Sequence, residues 1–338
     1  MLQIFLALWL AIAPAFADGV SAPIGIPPIG ASNAAVAFPP TAAAIYTGPL
    51  DLADWNTNVL AFWSVRCGST NYTGNILDIT DAATGSTTGT RLKCSSGGVI
   101  SAVVSASACA TTTNGGTFVT GGLCSALATT CAVSCNILTL YDQSGQTKCN
   151  TGSAVECDIV QLTNADRPTY TASCTTNSKP CGVYNGSSTY LPTLNCCTSG
   201  TGPATAQPFV IVGFAKRTSV VAGGIIADAT GFPSIFGGSS ANQGSFYVST
   251  QQNATASDNA WHEIQGVANG ASSSLTIDAT TSTGITQTGS LSGKGLQMGA
   301  LGTGFDVYPG DITEGGFWAF APTSGDLTAM YNNVNGYY

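Results

Sequence analysis

The sequence predicts an all-β protein, a jelly-roll sandwich that is disulfide-rich in its first half and carries few, short helices. Three observations predict it. Short runs of β-branched and aromatic residues recur along the chain, separated by Gly, Ser, Thr and Asn turns. Gly accounts for 41 of 338 residues and charged residues for 8%, against about 25% charged in an average globular domain. Hydrophobic residues are 44% of the chain, enough for a large core, yet no heptads and no fixed-period repeat are present. Many short strands joined by turns indicate a sandwich of two sheets.

The elements follow in chain order. Residues 2–13 are apolar and Ala15-Phe16-Ala17 forms an A-x-A pattern, so residues 1–17 read as a secretory signal peptide. The run is shorter than the ~20 residues a spanning helix needs, and no later segment is long and apolar enough, so no membrane span is expected after cleavage. Residues 18–45, with Pro23, Pro27, Pro28, Pro39 and Pro40, read as an extended leader. Residues 46–338 form the sandwich domain. Expected strands are 59–66, 76–80, 136–141, 159–163, 209–216, 224–227, 245–250, 261–267, 274–278, 296–300 and 312–320. The continuously apolar Phe209–Phe214 is expected to be buried on both faces. Residues 261–267 alternate, so Trp261, Glu263 and Gln265 share one face and His262, Ile264 and Gly266 the other. A short helix is expected at 123–131, and a final one capped by Ser324 and running through Leu327, Met330 and Tyr331.

All twelve cysteines lie between residues 67 and 197. In an exported chain an even number reads as a disulfide framework whose pairing the spacing does not fix. Cys131-x-x-x-Cys135 has no matching pair and no nearby His, so no zinc site is expected; scattered Asp residues do not show whether they converge on a calcium ion, and no cofactor is expected. Cys196 and Cys197 are adjacent; a bond between neighbours, whose Cα atoms sit ~3.8 Å apart, forces an unusual turn, and pairing elsewhere is the alternative. Nine Lys and Arg in no cluster, with net charge −8, argue against a nucleic-acid partner. The lone His262 supports no Ser–His–Asp arrangement, and no Gly-rich run between strand and helix offers a phosphate cradle.

Several stretches carry a family resemblance: Ala61-Phe-Trp-Ser-Val-Arg66 with Tyr72-Thr-Gly-Asn-Ile-Leu-Asp-Ile79, then Cys135-Asn-Ile-Leu-Thr-Leu-Tyr-Asp-Gln-Ser-Gly145, then Gly182-Val-Tyr-Asn-Gly186 with Phe209–Gly213, Trp261-His262 and Leu275-Thr-Ile-Asp278. Over roughly residues 50–338 the chain resembles the catalytic domain of the α-L-arabinofuranosidase B family and its bacterial and phage-encoded relatives. The resemblance implies a concanavalin-like (laminin-G-like) jelly roll and retaining release of terminal arabinofuranosyl units from a polysaccharide. Retention needs a nucleophilic carboxylate and an acid/base carboxylate about 5–5.5 Å apart. By resemblance Asp306 is the acid/base candidate; its alternative role is a solvated loop residue or a turn former. Where the family's Glu nucleophile is expected, Gln251 stands, and an amide carries no charge to trap the oxocarbenium-like centre. An active enzyme would have to recruit Glu263 or an Asp such as Asp228. Glu263 beside Trp261 suits an acid in a sugar site, because desolvation raises its pKa; the alternative is a rim residue on a half-exposed strand. The family's adjacent-cysteine platform suggests Cys196 and Cys197 as sugar-contacting residues, with Gln251 and Trp261. Asp142 and Glu314 read as structural. The expectation is an exported, carbohydrate-related protein with a polysaccharide or glycan partner and weakened or lost catalysis. Its alternatives are a non-catalytic glycan-binding module or a structural envelope or virion surface protein.

Overall fold

The structure is a computed structural model that describes residues 46–83, 90–95, 97–103, 135–146, 157–171, 173–193, 202–302 and 304–338. Their strands form two antiparallel sheets, so the chain is an all-β sandwich. The larger sheet runs in the order β17 (Thr280–Thr283), β16 (Ser274–Ile277), β15 (Trp261–Ala268), β10 (Phe209–Arg217), β19 (Pro309–Trp318), β8 (Cys181–Asn185), β7 (Thr169–Thr171), β5 (Cys135–Leu140), β2 (Asn75–Asp81), β3 (Thr90–Ser95) and β4 (Val99–Val103). Strand β1 (Val59–Ser64) also pairs with β19, and β6 (Ile159–Val160) with β5. The smaller sheet runs β14 (Gln251–Thr255), β13 (Gln243–Tyr247), β12 (Ser234–Gly237), β11 (Gly223–Asp228), β18 (Leu296–Met298) and β9 (Leu191–Pro192). Two α-helices are present among the described residues, α1 (Ala53–Thr57) and α2 (Ser324–Tyr337).

Strand β10 is central, between β15 and β19, and its apolar run is buried on both faces as its composition predicts. On the inner face Gly213 pairs with Gly315 of β19. A Cβ on Gly213 would lie 2.8 Å from the Ile235 side chain, and one on Gly315 would lie 2.5 Å from that of Ile226. This glycine pair lets β11 and β12 settle directly on the large sheet. On the outer face Phe214 stacks between Trp261 and Tyr338, each ring 5.2 Å away. Trp318 donates its indole N–H to the Trp55 carbonyl (2.9 Å) and meets the Trp55 ring edge-on.

Helix α2 covers the outer face of β15 through Leu327, Met330 and Val334, a helical spacing of three and four. It begins one residue earlier than expected: Thr323, not Ser324, is the cap. Thr323 accepts the Asp326 N–H (3.2 Å) while the Asp326 carboxylate accepts the Thr323 N–H (2.8 Å), a reciprocal box that Ser324 cannot form.

The Tyr-Asp-Gln-Ser-Gly corner is scaffold. The Asp142 carboxylate accepts the N–H groups of Phe62 (3.0 Å), Ser144 (2.9 Å) and Cys157 (3.2 Å). Gln143 accepts the Gly68 N–H (2.6 Å) and donates to the Ser64 and Arg66 carbonyls (3.0 Å each). These bonds fasten the end of β5 to the segment leaving β1, which the Cys67–Cys94 disulfide ties to β3. A second disulfide joins Cys174 and Cys181, so both fall in the cysteine-rich region. The expected leader, the helix at 123–131 and the Cys196-Cys197 pair lie outside the described residues.

Adding one methyl group at Gly315 should force the sheets apart. Gly315→Ala is expected to lower stability by about 1–3 kcal/mol, read as a reduced urea midpoint; an unchanged midpoint would show that the sheets do not depend on this contact.

Candidate functional site

The small sheet has two unlike faces. Ile226, Ile235 and Phe246 point into the core against the large sheet. Ala227, Phe236 and Leu301 form a separate apolar cluster, with Tyr247 packed against it. Strand pairing lines up Gln297, Ala227, Ser234, Tyr247 and Gln251 side by side across five strands. Directly paired residues project from the same face, so these five form one transverse row on the side away from the core.

The open end of the row is set by a turn held from a distance. The N–H groups of Val248, Ser249 and Thr250 all point at Gln287 Oε1 (3.3, 3.1 and 3.2 Å), and Gln287 Nε2 donates to the Thr250 carbonyl (2.7 Å). Gln287 is fully buried. It fixes the β13–β14 turn and thereby the register that places Gln251 beside Tyr247. Gln251 is exposed and donates to Asn253 Oδ1 (2.8 Å), which also accepts from the Ser245 hydroxyl (2.7 Å).

Two loops border the row. Phe232, 42% exposed, lays its ring 4.1 Å from that of Tyr247. Asp228, the last residue of β11 before that loop, is fully buried, its carboxylate taken up by Thr230 N–H and hydroxyl (2.9 Å each) and Ser292 N–H and hydroxyl (2.7 and 2.6 Å). The second loop follows β18. Leu301 packs on Ala227 and Phe236, and the Asp306 carbonyl accepts the Gly224 N–H of β11 (2.9 Å). Asp306 is exposed and adopts φ 44°, a left-handed conformation that Asp tolerates better than most residues. Beneath these groups Ser234 and Gln297 are wholly buried, and among the described residues the Ser234 hydroxyl and both polar atoms of the Gln297 amide have no hydrogen-bond partner.

The structure brings Gln251 and Asp306 to the small-sheet side of the molecule and leaves Glu263 and Trp261 elsewhere. Gln251 on β14 and the β11 strand beside Asp306 are three strand spacings apart, roughly 14 Å between backbones. Glu263 and Trp261 do share a face, as their alternation predicts. That face is the outer side of the large sheet at α2. Glu263 is fully buried there, next to Gln265, whose amide donates to Glu263 Oε2 (2.5 Å) and to the Leu327 carbonyl of α2 (2.9 Å). Of the aromatic residues, Tyr247 lines the small-sheet row, whereas Trp318 is buried in the core. Sequence reasoning missed Ser234 and Gln297, whose burial depends on strand pairings that no local pattern announces.

The layer under α2 is a buried ion pair with a neutral neighbour. Arg66 grips Glu314 with two bonds of 2.7 Å, and the Tyr338 and Ser64 hydroxyls donate to the same carboxylate (3.0 and 2.8 Å). Glu314 is structural, as expected. Burial pushes the Glu263 carboxyl well above the ordinary carboxylate range, with the Glu314 charge adding to it. His262 contacts Asp278 through Nδ1 and the Ser257 carbonyl through Nε2 (2.9 Å). Two acceptors require a doubly protonated ring. Burial pulls the His262 pKa down, but the Asp278 bond and charge outweigh it, and the net shift is upward. Ser257 presents a carbonyl to this ring, so the pair completes no nucleophilic triad. Among the described residues no group of three or more His, Cys, Asp or Glu converges as a metal site, and no helix is long and apolar enough to cross a membrane.

Comparison with solved structures identifies the architecture. An arabinofuranosidase complexed with arabinofuranosyl-α-1,2-xylobiose superposes with a TM-score of 0.56 at 14% identity, over 85% of this chain and 64% of that one. A GH54 α-L-arabinofuranosidase soaked with a cyclic sulfate inhibitor gives 0.57 at 13% identity, over 85% and 65%. The fold is that of the arabinofuranosidase sandwich. The chain spans slightly under two thirds of the length of those proteins. No family model and no curated protein matches the sequence.

Both raised groups fix a sign for the pH dependence. For Glu263, stability is complete below the unfolded pKa near 4.5 and is lost as pH rises through the higher folded value. Glu263→Gln removes that titration, so its stability measured by urea unfolding should fall less than wild type's above about pH 5; parallel curves would refute the buried, protonated assignment. For His262, the stabilisation is present below 6.5 and is lost as pH rises through the raised folded value. The chain's single His gives one NMR titration, expected to have its midpoint above 6.5 and to drop in Asp278→Asn; a midpoint indifferent to that substitution would rule out the pairing.

Proposed function

We propose that this chain is an exported glycan-binding protein built on the arabinofuranosidase sandwich, with turnover weakened or lost. One observation carries the reading: on the outer face of the small sheet the exposed Gln251 amide stands beside the half-buried Tyr247 ring, in a transverse row whose buried end holds Ser234, Ala227 and Gln297 and which contains no carboxylate. Sugars present apolar ring faces edged by hydroxyls, which such a surface matches through stacking and uncharged hydrogen bonds. The fold supports the carbohydrate assignment by kinship of architecture, and fold does not itself settle activity.

Retaining hydrolysis needs two carboxylates about 5–5.5 Å apart. Among the described residues of this side, the Asp228 carboxylate is already saturated by four hydrogen bonds, leaving Asp306 at the border without a second acid. Gln251 has the reach of a Glu but not its charge. In this reading Gln251 and Asp306 are hydrogen-bonding groups for a bound sugar, and Glu263 and Trp261 serve the α2 interface.

Purified protein should fail to hydrolyse aryl α-L-arabinofuranoside and should be retained by arabinan or arabinoxylan. Tyr247→Ala should weaken retention at least tenfold, about 1.4 kcal/mol. Turnover that Asp306→Asn abolishes would overturn the loss of catalysis. Neither turnover nor retention would overturn the glycan reading and leave a structural surface protein.

A further inference from the structure

The glycan-binding reading leaves open which groups recognise the sugar, and the row contains an anomaly that answers this. Ser234 and Gln297 are wholly buried, yet among the described residues the Ser234 hydroxyl, Gln297 Nε2 and Gln297 Oε1 have no partner. Buried polar groups are paired in the great majority of cases, and an exception calls for an explanation. These are not scattered defects. Ala227 pairs with Gln297 on one side and with Ser234 on the other, so the three unpartnered atoms flank a single small residue on one face of the sheet. Two strand spacings, roughly 10 Å, separate the two backbones, a gap a hydroxyl-bearing ring can bridge. Among the described residues Leu301 packs with Ala227 and Phe236, and the partly exposed Phe232 packs on Tyr247.

We propose that Gln297 and Ser234 are the specificity-determining floor of the binding row, taking hydroxyls of a neutral sugar ring seated over Ala227. The inference rests on the glycan-binding reading and deepens it. An amide offers a donor and an acceptor side by side, which matches two adjacent hydroxyls, each able to give and to accept a hydrogen bond; the Ser234 hydroxyl takes a third from the opposite edge. None of the five residues of the row is a cation, and the exposed Asp306 borders it, so a uronate or other acidic sugar finds no counter-charge in the row. The entering ring edge displaces the Leu301 and Phe232 side chains and inherits their contact with Tyr247 and Phe236.

The test measures affinity and melting temperature together, by titration calorimetry and thermal unfolding of wild type, Gln297→Leu, Gln297→Met and Ser234→Ala, with arabinan, arabinoxylan and polygalacturonate as probes. The expected result is neutral-glycan binding by wild type, at least tenfold weaker in either Gln297 variant and several-fold weaker in Ser234→Ala. The melting temperatures should be unchanged or higher, since each substitution removes an unpaired buried group. That opposition of signs separates recognition from damage to the fold. Wild-type affinity in Gln297→Met and Ser234→Ala would overturn this inference alone. Equal or tighter binding of polygalacturonate would overturn the neutral-sugar assignment. Absence of binding by wild type would overturn both this inference and the reading beneath it.

Discussion

Strands β10 and β19 have no free face, and the rest of the molecule is arranged around that constraint. On the inner side the Gly213–Gly315 pair removes two side chains so that Ile226 and Ile235 of the small sheet can sit against backbone. On the outer side Phe214 and Glu314, paired across the same two strands, must be covered. Helix α2 and Tyr338 provide the cover, and the Arg66–Glu314 pair makes a charged strand residue tolerable there. Breaking such a pair by removing one partner strands a buried charge, a far larger cost than an exposed ion pair ever contributes. The helix is therefore part of the sandwich.

The sequence was legible where a property is local. The apolar run of β10 announced a strand buried twice over, and the alternation from Trp261 correctly put Trp261, Glu263 and Gln265 together. It did not say which face of which sheet they would occupy, because that depends on β15 pairing with β10 and on α2 arriving from the end of the chain. Residues 248–250 illustrate the same limit. The expected strand ran through Thr250, whereas the chain turns there because three consecutive N–H groups converge on Gln287, distant in sequence. That turn makes Gln251 the first residue of β14. Ser234, Ala227 and Gln297 carry no compositional signal at all; only strand register assembles them.

The corner from Tyr141 to Gly145, one of the stretches on which the sequence resemblance rests, serves architecture. Its Asp and Gln spend their polar atoms fastening β5 to the segment beyond β1. A resemblance carried by such a corner reports how the backbone is held. It is silent about side chains elsewhere, and so it coexists with an amide at the position where the resemblance implies an acid.

Strands β11 to β14 keep the two duties on alternate residues. Ile226, Ile235 and Phe246 answer to the core, while Ala227, Ser234 and Tyr247, their immediate neighbours in sequence, answer to the outside. Because side chains alternate with a period of two, substitutions in the outer set leave the glycine contacts and the inter-sheet packing untouched. The outer face of the small sheet is thus free to change: its residues can drift, or be redesigned, one position at a time on a scaffold whose folding is underwritten by the inner set.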